Sequence, residues 1–382
     1  MESKINILIT GATGFVGAYL LRDLLADASV GKIYVLCRNI QSDNERQRLI
    51  DAYHKFSIDS LDVLAYTKKI RMIEGDITQP SLGINRVHYQ ELCKEVDVIY
   101  HVAARVNHIR PYEALKGANV DSLADIISMA RTEKSKIVNF VSTLGSAAKK
   151  DTQGFYVEEL PDDSAPWHSD MGYLQSKWEA EKLLSCFQNK GGKTNLFRLG
   201  YISGHSQTGA ALFANNQFML LVKSCIQLGY APVLARTINF TPIDYTVALM
   251  SQSKYRYQGG EVLNLFNYNG LIDWSDIVNW LNARGYNIKI IPFYEWQSKL
   301  LADNNENALH RFLPLYGSEG AHDKILRFGL EIEKFHYKKV KEATESAKYV
   351  LPLLKYELLD RYLGYLQSQK FLPVPQGKNE LF

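Results

Sequence analysis

A chain of 382 residues is longer than one typical core fills, so one larger and one smaller domain are expected. Its 46% hydrophobic and 22% charged residues are an ordinary globular composition, and a net charge of only +3 argues against a nucleic-acid binder. Four scattered cysteines (Cys37, Cys93, Cys186, Cys225) lack CxxC spacing, which argues against a disulfide framework or zinc site and suits a reducing cytoplasm.

Met1–Lys4 runs straight into a strand without a signal-peptide pattern. The β-rich runs that follow, Ile5–Ile9, Ile33–Leu36, Ile70–Ile73, Val96–His101, Ile137–Val141, Asn195–Arg198 and Val262–Phe266, are mostly continuous apolar stretches. Strands buried on both faces read this way. Between them Phe15–Leu25, Ala118–Ala130 and Tyr173–Phe187 carry helical periodicity. The alternation predicts an α/β fold, a Rossmann-like doubly wound parallel sheet. Residues 39–69 form a polar insertion, with a helix expected to open at Ser42–Arg46. The most apolar later stretch, Phe218–Leu234, is interrupted by Lys223, Ser224 and Gln227. It predicts an amphipathic helix and turn, and no membrane span is expected. From about residue 273 the strand rhythm gives way to helical sequence rich in Lys and Tyr. Residues 1–272 are therefore expected to form a nucleotide-binding domain, with 199–236 contributing to a substrate channel. Residues 273–382 are expected to form a smaller, mainly helical substrate domain.

The first strand leads into Thr10-Gly11-Ala12-Thr13-Gly14-Phe15-Val16-Gly17, a Gly-x-x-Gly-x-x-Gly turn that opens a helix. Gly11 permits the tight turn, Gly14 lets a diphosphate approach backbone, and Gly17 lets helix and strand pack. The N–H groups at Thr13, Phe15 and Val16 lie where a helix N-terminus faces anionic oxygens. The second strand ends in Arg38, where an NAD-binding chain would offer a carboxylate to the ribose. A guanidinium suits a 2′-phosphate, so NADPH is the expected cofactor. Arg48 is either a second phosphate contact or a solvated helix residue. Asp76, after Gly75 and before Ile77, is either an acceptor for the adenine amino group or a turn aspartate. Ala103-Ala104 follow the fourth strand, where small residues leave room for a ribose. His101 reads as a packed strand-end histidine, and no metal-ligand constellation surrounds it or His108.

The fifth strand runs into Ser142-Thr143, and Tyr173 and Lys177 follow one helical turn apart. Tyr112/Lys116 and Tyr337/Lys341 share that spacing, so position in the chain must distinguish them. A cation beside a phenol is expected to lower its pKa, and Thr143 is placed to share a substrate oxygen with Tyr173. Thr143 also suits a helix N-cap. Asn119, in the preceding helix, is expected to orient Lys177 through water or simply to start a helix.

These motifs, in this order, resemble the extended short-chain dehydrogenase/reductase superfamily. More narrowly, the chain looks like the thioester reductase domains that end nonribosomal peptide synthetases and carboxylic acid reductases. Carrying that likeness are Val35–Arg38 with the insertion, Gly75–Gly83, His101–Val106 through Pro111-Tyr112, Val141–Thr143, Gly172–Glu181, Arg198–Gly209 and Asn239–Tyr245. The family's Asn-Val continues into Gly-Thr, whereas Asn119-Val120 here meets Asp121-Ser122. The resemblance implies NADPH-dependent release of an acyl or peptidyl chain as an aldehyde, or onward to an alcohol, from a phosphopantetheinyl carrier domain. Thr143, Tyr173 and Lys177 would be catalytic, with Lys177 also meeting the nicotinamide ribose. Gly200 and Ile202 would floor the nicotinamide site, and Phe213–Leu228 with the tail would line the acyl channel. A fatty acyl-CoA reductase is the near alternative, and a nucleotide-sugar epimerase or dehydratase the more distant one. The chain is read as an excised terminal domain or a stand-alone reductase.

Overall fold

The computed structural model describes residues 4–40, 46–58, 68–163, 171–214, 216–256, 259–303, 306–323 and 331–375. The helix start expected at Ser42–Arg46 lies mostly outside the described residues, and a helix runs over Gln47–Lys55. All seven expected strands form: β1 (Ile5–Thr10), β2 (Val30–Cys37), β3 (Ile70–Glu74), β4 (Val98–His101), β5 (Ile137–Thr143), β6 (Lys193–Leu199) and β9 (Glu261–Leu265). Two short strands, β7 (Tyr230–Pro232) and β8 (Thr237–Ile238), precede the last of them.

The seven make one parallel sheet in the order β3-β2-β1-β4-β5-β6-β9. This is the expected doubly wound α/β class. The order reverses direction between β1 and β4, so the loops leaving their carboxyl ends part there and open a crevice. Helices cover both faces, which is why the strands are apolar without alternation. On one face Leu92, Ile126, Met129, Leu184 and Phe187 pack with Leu8, Ile99, Phe140 and Leu196. Full burial of one such leucine contributes about 2 kcal/mol before entropy is counted. Elsewhere on the sheet the Phe15–Ala26 helix lies against Ile243–Arg256.

The chain divides into two compact units, but not by a single cut after residue 272. The first holds Met1–Gly200, Ile243–Leu265 and Lys334–Val350; the second holds Tyr201–Pro242, Phe266–Glu333 and Leu351–Phe382. The C-terminal third is thus shared, because its Lys338–Ser346 helix belongs with the sheet. That helix starts on a buried carboxylate: Glu158 accepts the N–H groups of Lys339 (2.7 Å) and Val340 (3.2 Å). Glu158 keeps a raised pKa because burial outweighs those bonds.

The second unit has its own core, centred on Trp274, Trp296, Leu281 and Leu359. The apolar stretch after residue 217 forms the helix Gln217–Leu228, which ends at Gly229 in the left-handed conformation (φ +70°). From there β7 pairs in parallel with β11 (Lys289–Ile291), and β8 pairs antiparallel with β10 (Ile272–Asp273).

Candidate active site

The glycine turn is built by close approach. Gly11 takes φ +77°, and a Cβ there would lie 2.6 Å from the Ala103 nitrogen, so the loops after β1 and β4 touch backbone to backbone. A Cβ on Gly17 would lie 2.1 Å from the Gly11 carbonyl oxygen, so only glycine lets the helix start this close to its strand. Thr10 ties the same two loops: its Oγ1 accepts the Ala103 N–H (3.2 Å) and lies 2.9 Å from His101 Nδ1. The other His101 nitrogen meets Ser122 Oγ at 3.1 Å. Burial, helped by the charge of Lys177, pushes the His101 pKa down to about 3, so the ring is a neutral packing group, as expected.

Gly14 occupies the N-cap of the 12-residue helix Phe15–Ala26, and no side chain caps it. Its first N–H groups therefore remain available, in the place where Thr13, Phe15 and Val16 were expected to meet a diphosphate. Arg38 leaves the end of β2 with its side chain 63% exposed and a guanidinium nitrogen 4.0 Å from Asp76 Oδ2. Arg48 donates to the carbonyl of Arg38, which gathers two guanidinium groups at one strand end. Asp76 has the character of a turn residue as well: Oδ1 accepts the Thr78 N–H (2.9 Å) and hydroxyl (2.9 Å). Those bonds hold its carboxyl below the usual range, with Arg38 adding to the effect. Ile77 beside it is half-buried. The open helix start, the glycine cradle and the exposed cations fit a dinucleotide.

Tyr173 and Lys177 lie in the helix Gly172–Asn189, with both side chains buried. Gly172 allows this helix to begin where it does, since a Cβ there would sit 2.3 Å from the Tyr112 nitrogen. Lys177 Nζ donates to the Val141 carbonyl (2.8 Å) and lies 4.6 Å from the Phe140 ring centroid. It therefore anchors the helix to the end of β5, two residues before Thr143. Thr143 caps the short turn Leu144–Ser146, its hydroxyl accepting the Gly145 N–H at 3.4 Å.

The expected depression of the Tyr173 pKa is not found. Burial raises it to about 12, while Lys177 is lowered to about 8 by burial against a smaller raising effect of Glu181. The cause is geometric: the ammonium is directed at a carbonyl and an aromatic face, and no hydrogen bond joins it to the phenol. An edge of His108 packs on the Tyr173 ring at 5.3 Å, and burial lowers the His108 pKa, so it is a neutral neighbour.

Asn119 has direct partners that its place in the sequence did not announce. It lies in a π-helical turn, Gly117–Asp121, of the kind that often marks functional sites. Its Oδ1 accepts the Arg105 N–H (2.7 Å), and its Nδ2 donates to the Arg105 carbonyl (3.1 Å) and Ser176 Oγ (2.9 Å). The amide clamps the loop after β4 to the Tyr–Lys helix, and it makes no direct hydrogen bond to Lys177.

One group escaped assignment from the sequence. Glu181 continues the Tyr173–Lys177 face by one more turn, with its side chain fully buried. It accepts from Ser142 Oγ (2.6 Å) and Ser146 Oγ, and pairs with Arg198 Nη2 (2.8 Å) of β6. Arg198 also donates to the carbonyls of Val157 (3.1 Å) and Glu159 (3.0 Å). The signal was present in the four-residue spacing of 173, 177 and 181. The two look-alike pairs are ordinary: Lys116 pairs with Asp121 (2.7 Å), and Tyr337 is 44% exposed. Gly200 donates its N–H to Leu265 (2.8 Å) in the first unit, and Ile202 bridges to Thr241 in the second. Among the described residues no helix is long and apolar enough to cross a membrane. None of their acidic, His or Cys side chains cluster as a metal site would require.

A parallel sheet in this order, a glycine turn on its first strand and a buried Tyr–Lys helix beside the fifth define an extended short-chain dehydrogenase/reductase fold. The chain belongs to the NAD-binding family described as Male sterility protein, whose model matches residues 9–250. It is 32% identical over 306 residues to a linear gramicidin synthase of Brevibacillus parabrevis, an alignment covering 79% of this chain and 6% of the synthase. Across the curated relatives compared, the chain spans between 6% and 35% of their length. Among solved structures it is similar to the terminal R domain from the myxalamid PKS-NRPS biosynthetic pathway, with 27% identity, a TM-score of 0.82, and 98% and 94% of the two chains covered. A thiolation-reductase di-domain from an archaeal non-ribosomal peptide synthetase shares the fold, with 23% identity, a TM-score of 0.76, and 97% and 77% covered. The resemblance read from the sequence is borne out.

Proposed function

We propose that this chain is an NADPH-dependent thioester reductase that releases a carrier-bound acyl or peptidyl chain as an aldehyde. The observation that carries the reading is the buried Tyr173–Lys177 turn anchored on the β5 end beside Thr143. Relatives named as peptide synthases and as reductase domains joined to thiolation domains support a phosphopantetheinyl carrier as partner. Arg38 and Arg48, with no acidic residue at the end of β2, favour NADPH over NADH. Four free cysteines suit a cytoplasmic setting.

In this reading Gly11, Thr13, Gly14, Phe15, Val16 and Gly17 hold the diphosphate. Arg38 and Arg48 hold the 2′-phosphate, Asp76 and Ile77 border the adenine, and Ala103 leaves space for a ribose. Gly200 borders the nicotinamide, which when bound would supply the hydride. Thr143 and Tyr173 donate hydrogen bonds to the thioester oxygen, where negative charge develops as the carbonyl is reduced. A phenol held neutral by burial is a proton donor, so Tyr173 protonates that oxygen. Lys177 contributes its positive charge beside the phenol and a contact to the ribose. Asn119 keeps the loop and helix in register. Collapse of the protonated adduct breaks the C–S bond and returns the carrier thiol.

The test is loss of NADPH absorbance with an acyl-phosphopantetheinyl carrier, and mass-spectrometric identification of aldehyde or alcohol. Substituting Tyr173→Phe should lower kcat by about a thousandfold or more while NADPH binding persists. A fully active Y173F enzyme would overturn the assignment. Faster turnover of a CoA thioester than of the carrier-bound one would overturn the carrier.

A further inference from the structure

Arg236, in the second unit just before β8, is a half-buried cation without a counter-ion among the described residues. Its Nε is buried and has no hydrogen-bond partner there. The titratable groups close enough to act on the guanidinium are the phenols of Tyr201 and Tyr316, with no carboxylate among them. Its backbone is pinned: the Arg236 N–H donates to Leu234 (3.0 Å), and its carbonyl accepts the Trp274 N–H (3.1 Å).

Of the two phenols, Tyr316 keeps a proton to give. Tyr201 donates to Asn216 Oδ1 (3.0 Å). Gln217 Nε2 donates to the Tyr316 hydroxyl (3.0 Å), which leaves the Tyr316 proton to give elsewhere. Burial raises the pKa of Tyr316 to about 12 and that of Tyr201 further, so both stay neutral. Asn216 caps the 12-residue helix Gln217–Leu228 through the Met219 N–H (3.1 Å). A buried, unbonded guanidinium N–H and a phenol with a proton to give thus share this part of the second unit, and no carboxylate among the described residues acts on the cation. Leaving a buried guanidinium N–H without an acceptor is costly, and a bound oxyanion would supply one.

We propose that Arg236, assisted by Tyr316, binds an oxyanion of the thioester substrate: a carboxylate on the acyl chain or the phosphate of its pantetheine arm. A guanidinium holds either in two-point contact, which an ammonium would not reproduce. The inference rests on the reductase reading above and on the second unit carrying the substrate.

Two matched pairs of substrates separate the sources. One pair is N-acetylcysteamine thioesters whose acyl chains end in methyl or carboxylate. The other is a neutral acyl chain on pantetheine or on phosphopantetheine. The anionic member of one pair should be preferred in kcat/KM by about tenfold or more, and the preference should fall to near one in Arg236→Met. The pair that discriminates names the source. No preference in either pair, or a preference that survives R236M, overturns the proposal. Should no thioester be reduced at all, the reductase reading fails, and thermal melts decide the site alone. A saturable rise in Tm with glutarate or inorganic phosphate, absent in R236M, supports it, and no rise overturns it. R236M removes an unpaired half-buried charge, so it is expected to fold at least as stably as the parent chain.

Discussion

Lys177 is a buried lysine whose ammonium is held by one carbonyl and one aromatic face, and burial brings its pKa to about 8. If its charge is needed beside Tyr173, activity should fall as pH rises through about 8, and a flat profile to pH 10 would count against that role. The sign for stability is opposite. The folded pKa is lower than the unfolded 10.5, so the unfolded chain binds more protons between about 8 and 10.5. Stability from this group therefore increases across that window as pH rises. Urea melts of the parent and Lys177→Met proteins should converge at the alkaline end. Arg38 makes a second residue-scale prediction: Arg38→Gln should weaken NADPH about tenfold to a hundredfold and leave NADH nearly unchanged. Equal losses for both cofactors would remove the 2′-phosphate from its account. The exposed place of Arg38 at the end of β2 was legible, because strand ends are written in adjacent residues. The true partners of Asn119 were not, since they lie 14 residues before it and 57 after it.

At the scale of elements, the helix Gly172–Asn189 is joined to the β5 end twice, through Lys177 to Val141 and through Glu181 to Ser142 and Ser146. The Glu181–Arg198 pair is fully buried, and both partners are satisfied by further hydrogen bonds. Breaking it from one side should be severe: Glu181→Gln leaves Arg198 as an unpaired buried cation and should cost about 3–5 kcal/mol. Replacing both, Glu181→Leu with Arg198→Met, should recover most of that loss. If the double variant is as unstable as the single one in chemical denaturation, unpaired charge is not the reason. Gly172 tests the start of the same helix. Gly172→Ala puts a methyl against the Tyr112 backbone and should cost about 1–3 kcal/mol, with a matching fall in kcat as Tyr173 shifts. The strands themselves were legible to within a few residues, because burial on both faces imposes continuous apolar runs. The π turn at Gly117–Asp121 was not, since its geometry follows from the clamp on the Arg105 loop rather than from local preference.

For the whole molecule, the two units exchange chain several times. Removing everything after residue 333 would therefore remove the Lys338–Ser346 helix from the sheet-bearing unit as well as a helix from the other. Val340 is fully buried, and Glu158 would lose two of its N–H partners. A truncation ending at residue 333 should melt at a lower temperature and lose NADPH binding. An unchanged NADPH affinity would show that the sheet unit ends before the tail, as the composition first indicated. The composition misplaced this boundary because helical, Lys-rich sequence carries no mark of which core its apolar stripe will join.

Sequence alone determined the sheet, its glycine turn, the basic end of β2 and the place of Tyr173 and Lys177 on the helix after the fifth strand. Each of these depends on local conformation or on a motif's place along a strand or helix, and short-range chemistry writes both into adjacent residues. Tertiary structure alone decided that burial holds Tyr173 protonated, that Asn119 is a clamp, and that Glu181 has Arg198 for a partner while Arg236 has none among the described residues. These are consequences of desolvation and of pairing between residues remote in the chain. Charge and hydrogen bonding are settled by who the neighbours are, and only the fold brings them together.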